Sequence, residues 1–392
     1  MNVLKTVGRI GALTAGVTFA AVALAGPAQA AGGQIQQAGG ATAVSGSYIV
    51  VLKDGVSTSA AGVAARYGAA VGQTYSHALR GFEARVSEAT ARRIAADPSV
   101  AFVEQNHTVT ISATQTPTPS WGLDRIDQRN LPLNNSYTFP TTASTVHAYI
   151  IDTGIRFSHN DFGGRAVSGF DAIDGGNADD CHGHGTHVSG TVGGSSFGVA
   201  KGVTLVGVRV LDCAGSGTFA QVIAGIDWVT ANAIKPAVAN MSLGGGPDAA
   251  TDTAVRNSIA SGVSYAIAAG NSSQNACNFT PARVAEAITV GATDINDNRA
   301  SFSNRGRCLD IFAPGVAITS AWNASDTATN TISGTSMATP HVAGVAARYL
   351  QGNPGASPAT VRNAIVNDAT TGVLSGIPSG TANRLLFRSG TQ

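Results

Sequence analysis

One serine in this 392-residue chain has neighbours that suit a nucleophile. Ser336 lies in Gly334-Thr335-Ser336-Met337-Ala338-Thr339-Pro340-His341, where small residues precede it and an apolar, alanine-rich run follows. Apolar residues at helical spacing predict a buried helix that begins at or near Ser336. Pro340 fits only close to the start of such a helix, because proline has no N–H to donate. The Ser336 hydroxyl would then lie at the positive end of a helix, without bulky neighbours to exclude a substrate.

A nucleophilic serine needs a base to take its proton, and the base needs a group that holds its tautomer. A carboxylate, Asp152, ends the apolar run Ala148-Tyr149-Ile150-Ile151-Asp152. An imidazole, His184, lies in the glycine-rich string His182-Gly183-His184-Gly185-Thr186-His187. A short Gly-Thr-Ser string alone is more often a turn or a cap, but the three segments together predict Ser336 as nucleophile, His184 as base and Asp152 as its partner.

The chain order Asp, His, Ser is that of subtilisin, and all three motifs are similar to those of subtilisin-like serine proteases. The resemblance points to the proteinase K branch, in particular to its secreted, aqualysin-like bacterial members, and covers nearly the whole chain. It implies a serine endopeptidase that cleaves proteins and peptides through an acyl-enzyme and needs no cofactor for its chemistry. It also implies that His187 and His341 are structural neighbours and that His182 is a loop residue.

The same resemblance implies the rest of the active site. Asn271, in Ala268-Ala269-Gly270-Asn271, matches the side-chain donor to the oxyanion, beside the Ser336 amide, although an isolated Gly-Asn pair is usually a turn. Two glycine-rich segments match the strands that bind an extended peptide. The substrate-binding residues expected on this basis are Gly215, Ser216, Gly217, Ser242, Leu243, Gly244, Ala268, Ala269 and Gly270. Because the last three carry no charge, the first pocket should prefer apolar or aromatic side chains.

Structural calcium is also implied by the resemblance, as a support for stability rather than chemistry. One expected set of ligands is Asp310 with the carbonyls of Ala285 and Ala287. A second set, near the expected mature N-terminus, is Asp124, Asp127 and Gln128. Oxygen ligands suit Ca²⁺, but Asn134 and Ser136 replace ligands that some relatives carry at the second site. The alternative for this second set is that its carboxylates are capping and surface groups.

The N-terminal third of the chain predicts export and maturation. Residues 1–30 have the basic start, apolar run and Ala28-Gln29-Ala30 end of a signal peptide, with a membrane anchor as the less favoured alternative because the run is short. Residues 31–46 lack periodicity and are predicted to be a linker. Residues 47–112 alternate strands (48–52, 81–86, 100–103) with helices (59–67, 87–96). This small α+β unit resembles a subtilase propeptide, an inhibitor and folding assistant cleaved after Ser112. Its alternative is a permanent N-terminal domain.

Residues 113–392 predict one α/β domain with a mostly parallel sheet flanked by helices, which is the subtilisin-like fold that the resemblance implies. Apolar runs end at Asp152, Asp212, Leu243, Gly270 and Gly291, and the run 217–232 has one apolar helical face. In such sheets function lies at the carboxyl ends of the strands. Asp152 and Asn271 both fall there.

Composition limits the partners of the protein. Charged residues make up 12% of the chain and the net charge is +1, which argues against an electrostatically driven nucleic-acid binder. No segment beyond residue 30 could span a bilayer, so no membrane partner is expected, and we expect a monomer.

Four cysteines in an exported chain indicate two disulfides. The sequence alone leaves three pairings open, and the resemblance favours Cys181–Cys213 and Cys277–Cys308. A zinc site built from these cysteines is disfavoured, because no close Cys-x-x-Cys pair is present.

Two other functions remain open at this point. His182, His184 and His187 could form the zinc cluster of a secreted metallohydrolase, which would leave Asp152 and Ser336 without a role. The chain could also be a catalytically inactive binding homologue, although every matched catalytic position carries an active residue type.

Overall fold

The structure, a computed structural model, describes residues 33–40, 43–107 and 113–388. Its internal contacts divide the chain into two compact units, residues 1–109 and 110–392. The predicted signal peptide and the predicted cleavage after Ser112 lie outside the described residues. Within them, no helix combines the length and the apolar character that crossing a membrane requires.

The first unit is a five-stranded sheet with two helices. Its strands are β1 (Ile35–Gln36), β2 (Ala43–Leu52), β3 (Ala70–Tyr75), β4 (Gly81–Arg85) and β5 (Val100–His107), in the order β1-β5-β2-β4-β3. Its helices are α1 (Ala60–Tyr67) and α2 (Glu88–Ala95). The hydroxyls of Ser59 and Ser87 accept hydrogen bonds from the first turns of these helices, as N-caps do.

Two sequence predictions fail in this unit. The linker assigned to residues 31–46 is wrong in part, because Ile35 pairs with Val103 in β5 and β2 already begins at Ala43. Strand β3 was not predicted at all. It is an edge strand whose residues are mostly exposed, so it lacks the alternation of apolar and polar residues that marks a half-buried strand.

The second unit is built on a nine-stranded sheet in the order β17-β18-β14-β13-β12-β11-β8-β10-β9. Its strands are β6 (Ala113–Gln115), β7 (Tyr137–Phe139), β8 (His147–Asp152), β9 (Ala166–Asp171), β10 (Thr204–Arg209), β11 (Ala237–Met241), β12 (Ser264–Ala268), β13 (Ile288–Thr293), β14 (Ile311–Pro314), β15 (Ile318–Ala321), β16 (Thr329–Ile332), β17 (Thr370–Thr371) and β18 (Arg384–Leu385). Its helices are α3 (Trp121–Ile126), α4 (His184–Gly193), α5 (Phe219–Asn232), α6 (Ala249–Ala260), α7 (Thr335–Gly352) and α8 (Pro358–Asp368).

Helices cover both faces of this sheet, and successive strand residues divide between them. Ile150 packs with residues of α4 and α7 on one face, whereas Ile151 packs with residues of α5 and α6 on the other. From β9 to β14 neighbouring strands are parallel, and β17 and β18 form the one antiparallel pair of the sheet. The predicted α/β architecture is therefore confirmed.

Most strand ends differ by a few residues from the prediction. Strand β8 ends at Asp152 as predicted, but β10, β11 and β12 end at Arg209, Met241 and Ala268, before the predicted ends. The apolar and glycine residues that follow these strands line cavities at the carboxyl edge of the sheet. These residues line the cavities and do not belong to the strands. The apolar run therefore extends beyond the end of the strand and overestimates its length.

Candidate active site

The carboxyl end of β8 brings Asp152 to His184. Asp152 is fully buried, and its Oδ1 lies 2.7 Å from Nδ1 of His184 and accepts the backbone N–H of Thr153 at 2.8 Å. The other oxygen, Oδ2, is buried and has no hydrogen-bond partner among the described residues. The pair holds the imidazole with Nδ1 towards the carboxylate and leaves Nε2 free for proton transfer.

Opposing effects act on the pKa of His184. Burial lowers it, because a charged ring is poorly solvated in the interior. Attraction to the Asp152 carboxylate, the hydrogen bond to it, and the charge of Asp180 together outweigh burial and raise the pKa above its ordinary value. The site therefore stabilises the imidazolium that a general base becomes when it takes a proton.

Glycines place His184 at the first position of α4. Gly183 adopts φ 111°, and a Cβ there would lie 2.5 Å from the ring of Trp322. A Cβ on Gly185 would lie 2.1 Å from the carbonyl oxygen of Gly154, so only glycine lets the helix approach the loop that follows Asp152. The glycine-rich motif is thus explained by the close approach of the segment that carries His184 to the segment that follows Asp152.

Asp180 was not singled out from the sequence, yet it anchors this segment. Its Oδ1 accepts from the hydroxyl of Thr153 and from the amides of His182 and Gly183 at 2.8–2.9 Å. Its Oδ2 accepts from the amide and the hydroxyl of Thr186. The available signal was an aspartate shortly before a glycine-rich helix start, which is a common turn and capping position.

Ser336 is the second residue of α7. Pro340 has no N–H to donate to the Ser336 carbonyl four residues earlier, and the hydroxyl of Ser242 donates to that carbonyl instead, at 2.9 Å. The Ser336 hydroxyl in turn donates to the carbonyl of Ser242 at 3.1 Å. This reciprocal pair fixes the start of α7 against the segment that follows β11.

Within the described residues, the Ser336 hydroxyl thus donates to Ser242 rather than to His184. His184 and Ser336 line two neighbouring cavities, and segment 242–246 borders both cavities. A serine hydroxyl changes position by rotation about one bond, and catalytic hydrogen bonds often form only when substrate is present.

The Asn271 side chain and the backbone at the start of α7 direct two hydrogen-bond donors into the same space. The Asn271 Oδ1 accepts from the amide and the hydroxyl of Thr335, both at 2.9 Å, and an amide donor fixes which side-chain atom is the oxygen. The Nδ2 therefore points the other way. A Cβ built on Gly334 would lie 3.4 Å from Asn271 Nδ2 and 3.6 Å from the backbone nitrogen of Ser336. The two nitrogens converge on the space beside Gly334, where an oxyanion can be bound.

Two cavities flank segment 242–246, and all nine predicted substrate-binding residues line them. One, of about 500 Å³, includes His184, Leu211 and residues 214–219. The other, of about 370 Å³, includes Ser336, Asn271 and residues 268–270. The residues that line this second cavity carry no charge.

The other histidines differ in their surroundings. His187 and His341 are fully buried, and burial lowers the pKa of each to about 4. The His187 Nε2 contacts the carbonyls of Ile318 and Asn330, and within the described residues no group of three or more His, Cys, Asp or Glu side chains could hold a metal ion. The donor set does not favour the zinc alternative. His182 is a loop residue as expected, but it also lines the larger cavity, which the sequence did not indicate.

The first expected calcium set does not fit a metal. Arg362 donates one hydrogen bond to Oδ1 of Asp310 and another to the carbonyl of Ala287 at 3.1 Å. The amide of Thr289 donates to Oδ2 of Asp310 at 2.8 Å. Both expected ligands thus bind a guanidinium, and Ala285, the third, is exposed.

The second expected set differs, because one of its carboxylate oxygens has no hydrogen-bond partner among the described residues. Asp124 accepts the amides of Asn134 and Asn135, and Asp127 accepts the amide of Thr138 at 2.6 Å. Burial, together with the neighbouring Asp124 charge, raises the pKa of Asp127 to about 6 despite that amide. Its Oδ1 is buried without a hydrogen-bond partner among the described residues. The Gln128 Nε2 donates to the Asn130 and Pro132 carbonyls.

The four cysteines form the pairs Cys181–Cys213 and Cys277–Cys308, with Cα atoms 5.0 Å and 5.3 Å apart. These are the pairs that the resemblance implies. The first links the segment before His184 to the segment 211–217 that lines the larger cavity.

Comparison with known proteins places this site in a family. Residues 45–385 match the subtilase family, peptidase S8. An extracellular serine proteinase of Thermus sp. (strain Rt41A) is 57% identical over 321 residues, which cover 82% of this chain and 78% of that protein. Alkaline serine exoprotease A of Vibrio alginolyticus is 53% identical over 82% of this chain, and the match spans 61% of its own length. A crystal structure of a cold adapted subtilisin-like serine proteinase is 55% identical with a TM-score of 0.68, covering 69% of this chain and 98% of that one. The chain therefore belongs to the subtilase family of serine endopeptidases.

Proposed function

We propose that the protein is a secreted endopeptidase whose catalytic residues are Asp152, His184 and Ser336, with Asn271 as an oxyanion donor. The observation that carries the proposal is the 2.7 Å contact between a fully buried carboxylate and Nδ1 of an imidazole at the edge of the cavities. A general base needs such a carboxylate, because the contact at Nδ1 holds the tautomer whose Nε2 can accept a proton.

The reaction begins when Ser336 Oγ attacks the carbonyl carbon of the scissile peptide and His184 Nε2 takes the hydroxyl proton. The imidazolium is stabilised by Asp152, which stays ionised. The negative charge on the former carbonyl oxygen is stabilised by Asn271 Nδ2 and the Ser336 amide. His184 then donates its proton to the leaving amine, and an acyl ester of Ser336 remains. Water, deprotonated by His184, releases the acid and restores the serine.

Substrate preference follows from the cavity that contains Ser336. Its lining is uncharged and includes Phe279, Ala268 and Ala269, which supports apolar and aromatic side chains rather than lysine or arginine. The glycines of segment 242–246 leave main-chain groups open, so that an extended peptide can bind as an added strand.

Secretion and self-processing complete the proposal. The signal-like residues 1–30, together with relatives that are named extracellular or alkaline proteinases, support export of the chain. The compact first unit supports a propeptide that inhibits the enzyme and is removed near Ala113.

Calcium at Asp124, Asp127 and Gln128 belongs to this proposal as a structural ion. The Oδ1 of Asp127, which has no hydrogen-bond partner within the described residues, and the repulsion between the two carboxylates support it. A bound ion would neutralise the two charges and tie α3 to the loop that precedes β7. It would take no part in the chemistry.

The proposal is tested by secreting the wild type and Ser336→Ala from a host without its own extracellular proteases. Intact mass and N-terminal sequencing should show the wild type beginning near residue 113 and active on peptide anilides. The variant should be inactive and retain residues from about 31 onward. An active Ser336→Ala protein would refute the proposed chemistry, and processing of both proteins at the same residue would refute self-cleavage.

A further inference from the structure

Arg362 lies where a calcium ion is expected in this fold. It belongs to α8, whose buried residues Val361 and Ile365 hold the helix against the core. Its Nε donates to the carbonyl of Ala287, just before β13, and a terminal nitrogen donates to Asp310, just before β14. One guanidinium thus joins a helix to two neighbouring strands of the central sheet.

We propose that Arg362 replaces a metal ion at this position, so that Asp310 and Ala287 are held together by an internal cation and bind no calcium. The geometry supports the replacement because a guanidinium, like a metal, presents several directed positive contacts to oxygen. The remaining Asp310 oxygen is also taken, by the Thr289 amide at 2.8 Å. A bound ion would therefore have to displace the guanidinium from both Asp310 and the carbonyl of Ala287.

Charge leads to the same result. Calcium sites in proteins gather carboxylates and neutral oxygens around the ion, whereas here Asp310 faces Arg362 at hydrogen-bond distance. A divalent cation at this position would meet a guanidinium as well as the carboxylate. Like charges at short range disfavour binding, and the exposure of the Asp310 and Arg362 side chains, 12% and 29%, leaves this repulsion only partly screened.

The replacement has a consequence for the molecule. A bound calcium ion dissociates when calcium is scarce, whereas the arginine side chain is covalently part of the chain and remains in place. The junction of α8 with β13 and β14 should therefore be as stable in chelator as in calcium, and any calcium dependence of the protein should come from elsewhere. This inference does not rest on the proposed catalytic mechanism.

The test counts calcium ions by isothermal titration with Ca²⁺ alone, on the full chain carrying Ser336→Ala so that no sample digests itself. In this background Asp310→Asn should leave the number of bound ions unchanged. Arg362→Ala should lower the unfolding temperature in chelator by roughly 5 °C, bind one additional ion per chain, and regain stability when calcium is added. Adding Asp310→Asn to Arg362→Ala should abolish the additional ion.

The matched control is Arg256→Ala, which removes an exposed arginine paired at 3.6 Å with Glu286, the residue between the two expected carbonyl ligands. It should change neither the ion count nor the chelator sensitivity. The inference is overturned if Asp310→Asn, introduced into the Ser336→Ala protein, removes one bound ion. The metal site would then exist beside Arg362. It is equally overturned if folded Arg362→Ala gains no ion, because the arginine would not be what excludes calcium.

Discussion

Replacing Asp152 with asparagine tests how the buried carboxylate works, because the change keeps shape and removes charge. If the amide oxygen of the asparagine takes the place of Oδ1, its NH₂ group occupies the position of Oδ2, which is buried and has no hydrogen-bond partner within the described part of the chain. If the amide rotates instead, its NH₂ group faces His184 Nδ1 and the amide of Thr153. The rotated form holds the imidazole proton on Nε2, where the ring can no longer accept the serine proton.

The expected loss in kcat for Asp152→Asn is about 10⁴-fold, the size found for the corresponding change in another serine protease, or about 5.5 kcal/mol of transition-state stabilisation. The residual activity should also have a shifted pH profile. His184 acts as a base only when neutral, so activity falls as pH drops through its pKa, which is raised in the wild type by Asp152 and Asp180 against the opposing effect of burial. Without the Asp152 charge that pKa falls, and the acid limb moves to lower pH.

The assay is the pH dependence of kcat on a peptide anilide, measured with matured protein whose fold is checked by circular dichroism. Asp161→Asn is the matched control, because Asp161 is also buried and accepts the amide of Ser196, and its Oδ2 has no partner among the residues that the structure describes. Asp161 lines neither cavity. It should keep kcat within a few-fold. A loss below 10-fold for Asp152→Asn, or an acid limb that stays in place, would refute this reasoning.

Three further predictions concern the oxyanion donors and the calcium site. Asn271→Ala should lower kcat by about 10²–10³-fold with little change in KM, the range measured for the corresponding donor of a subtilisin; a loss in kcat below 10-fold would exclude Asn271 as an oxyanion donor. Gly334→Ala should fold normally, because its φ of 164° is extended backbone, yet lower kcat at least 10-fold by placing a methyl group beside both donors; unchanged kcat would mean that the oxyanion binds elsewhere. Asp127→Asn should remove the calcium-dependent rise in unfolding temperature while leaving kcat in calcium unchanged, and a retained rise would exclude this residue as a ligand.

The sequence predicted those parts of the candidate site whose structure is determined by residues adjacent in the chain. Asp152 follows an apolar strand, and the glycines around His184 stand next to it in sequence, so local pattern and family resemblance together identified them. The helix start at Ser336 was predicted within one residue, since Pro340 restricts where such a helix can begin. These features are encoded over short distances, where periodicity and turn chemistry are informative.

Contacts between distant segments could not be predicted in this way. The pair Ser242 and Ser336 is separated by 94 residues, and the pair Asp310 and Arg362 by 52. Nothing in the local pattern of α8 distinguishes Arg362 from a solvated surface arginine. The expected calcium ligands at Asp310 came from resemblance alone, and an arginine from α8, distant in sequence, binds those oxygens instead.

The central claim is that Ser336 is the nucleophile of this protein, and covalent labelling tests it most directly. Matured protein is treated with an organophosphorus fluoridate, digested, and analysed by tandem mass spectrometry. The account predicts one phosphoryl group per chain, on Ser336, with complete loss of peptidase activity and far slower labelling in Asp152→Asn. Labelling of a different serine, or full inactivation without modification of Ser336, would contradict it.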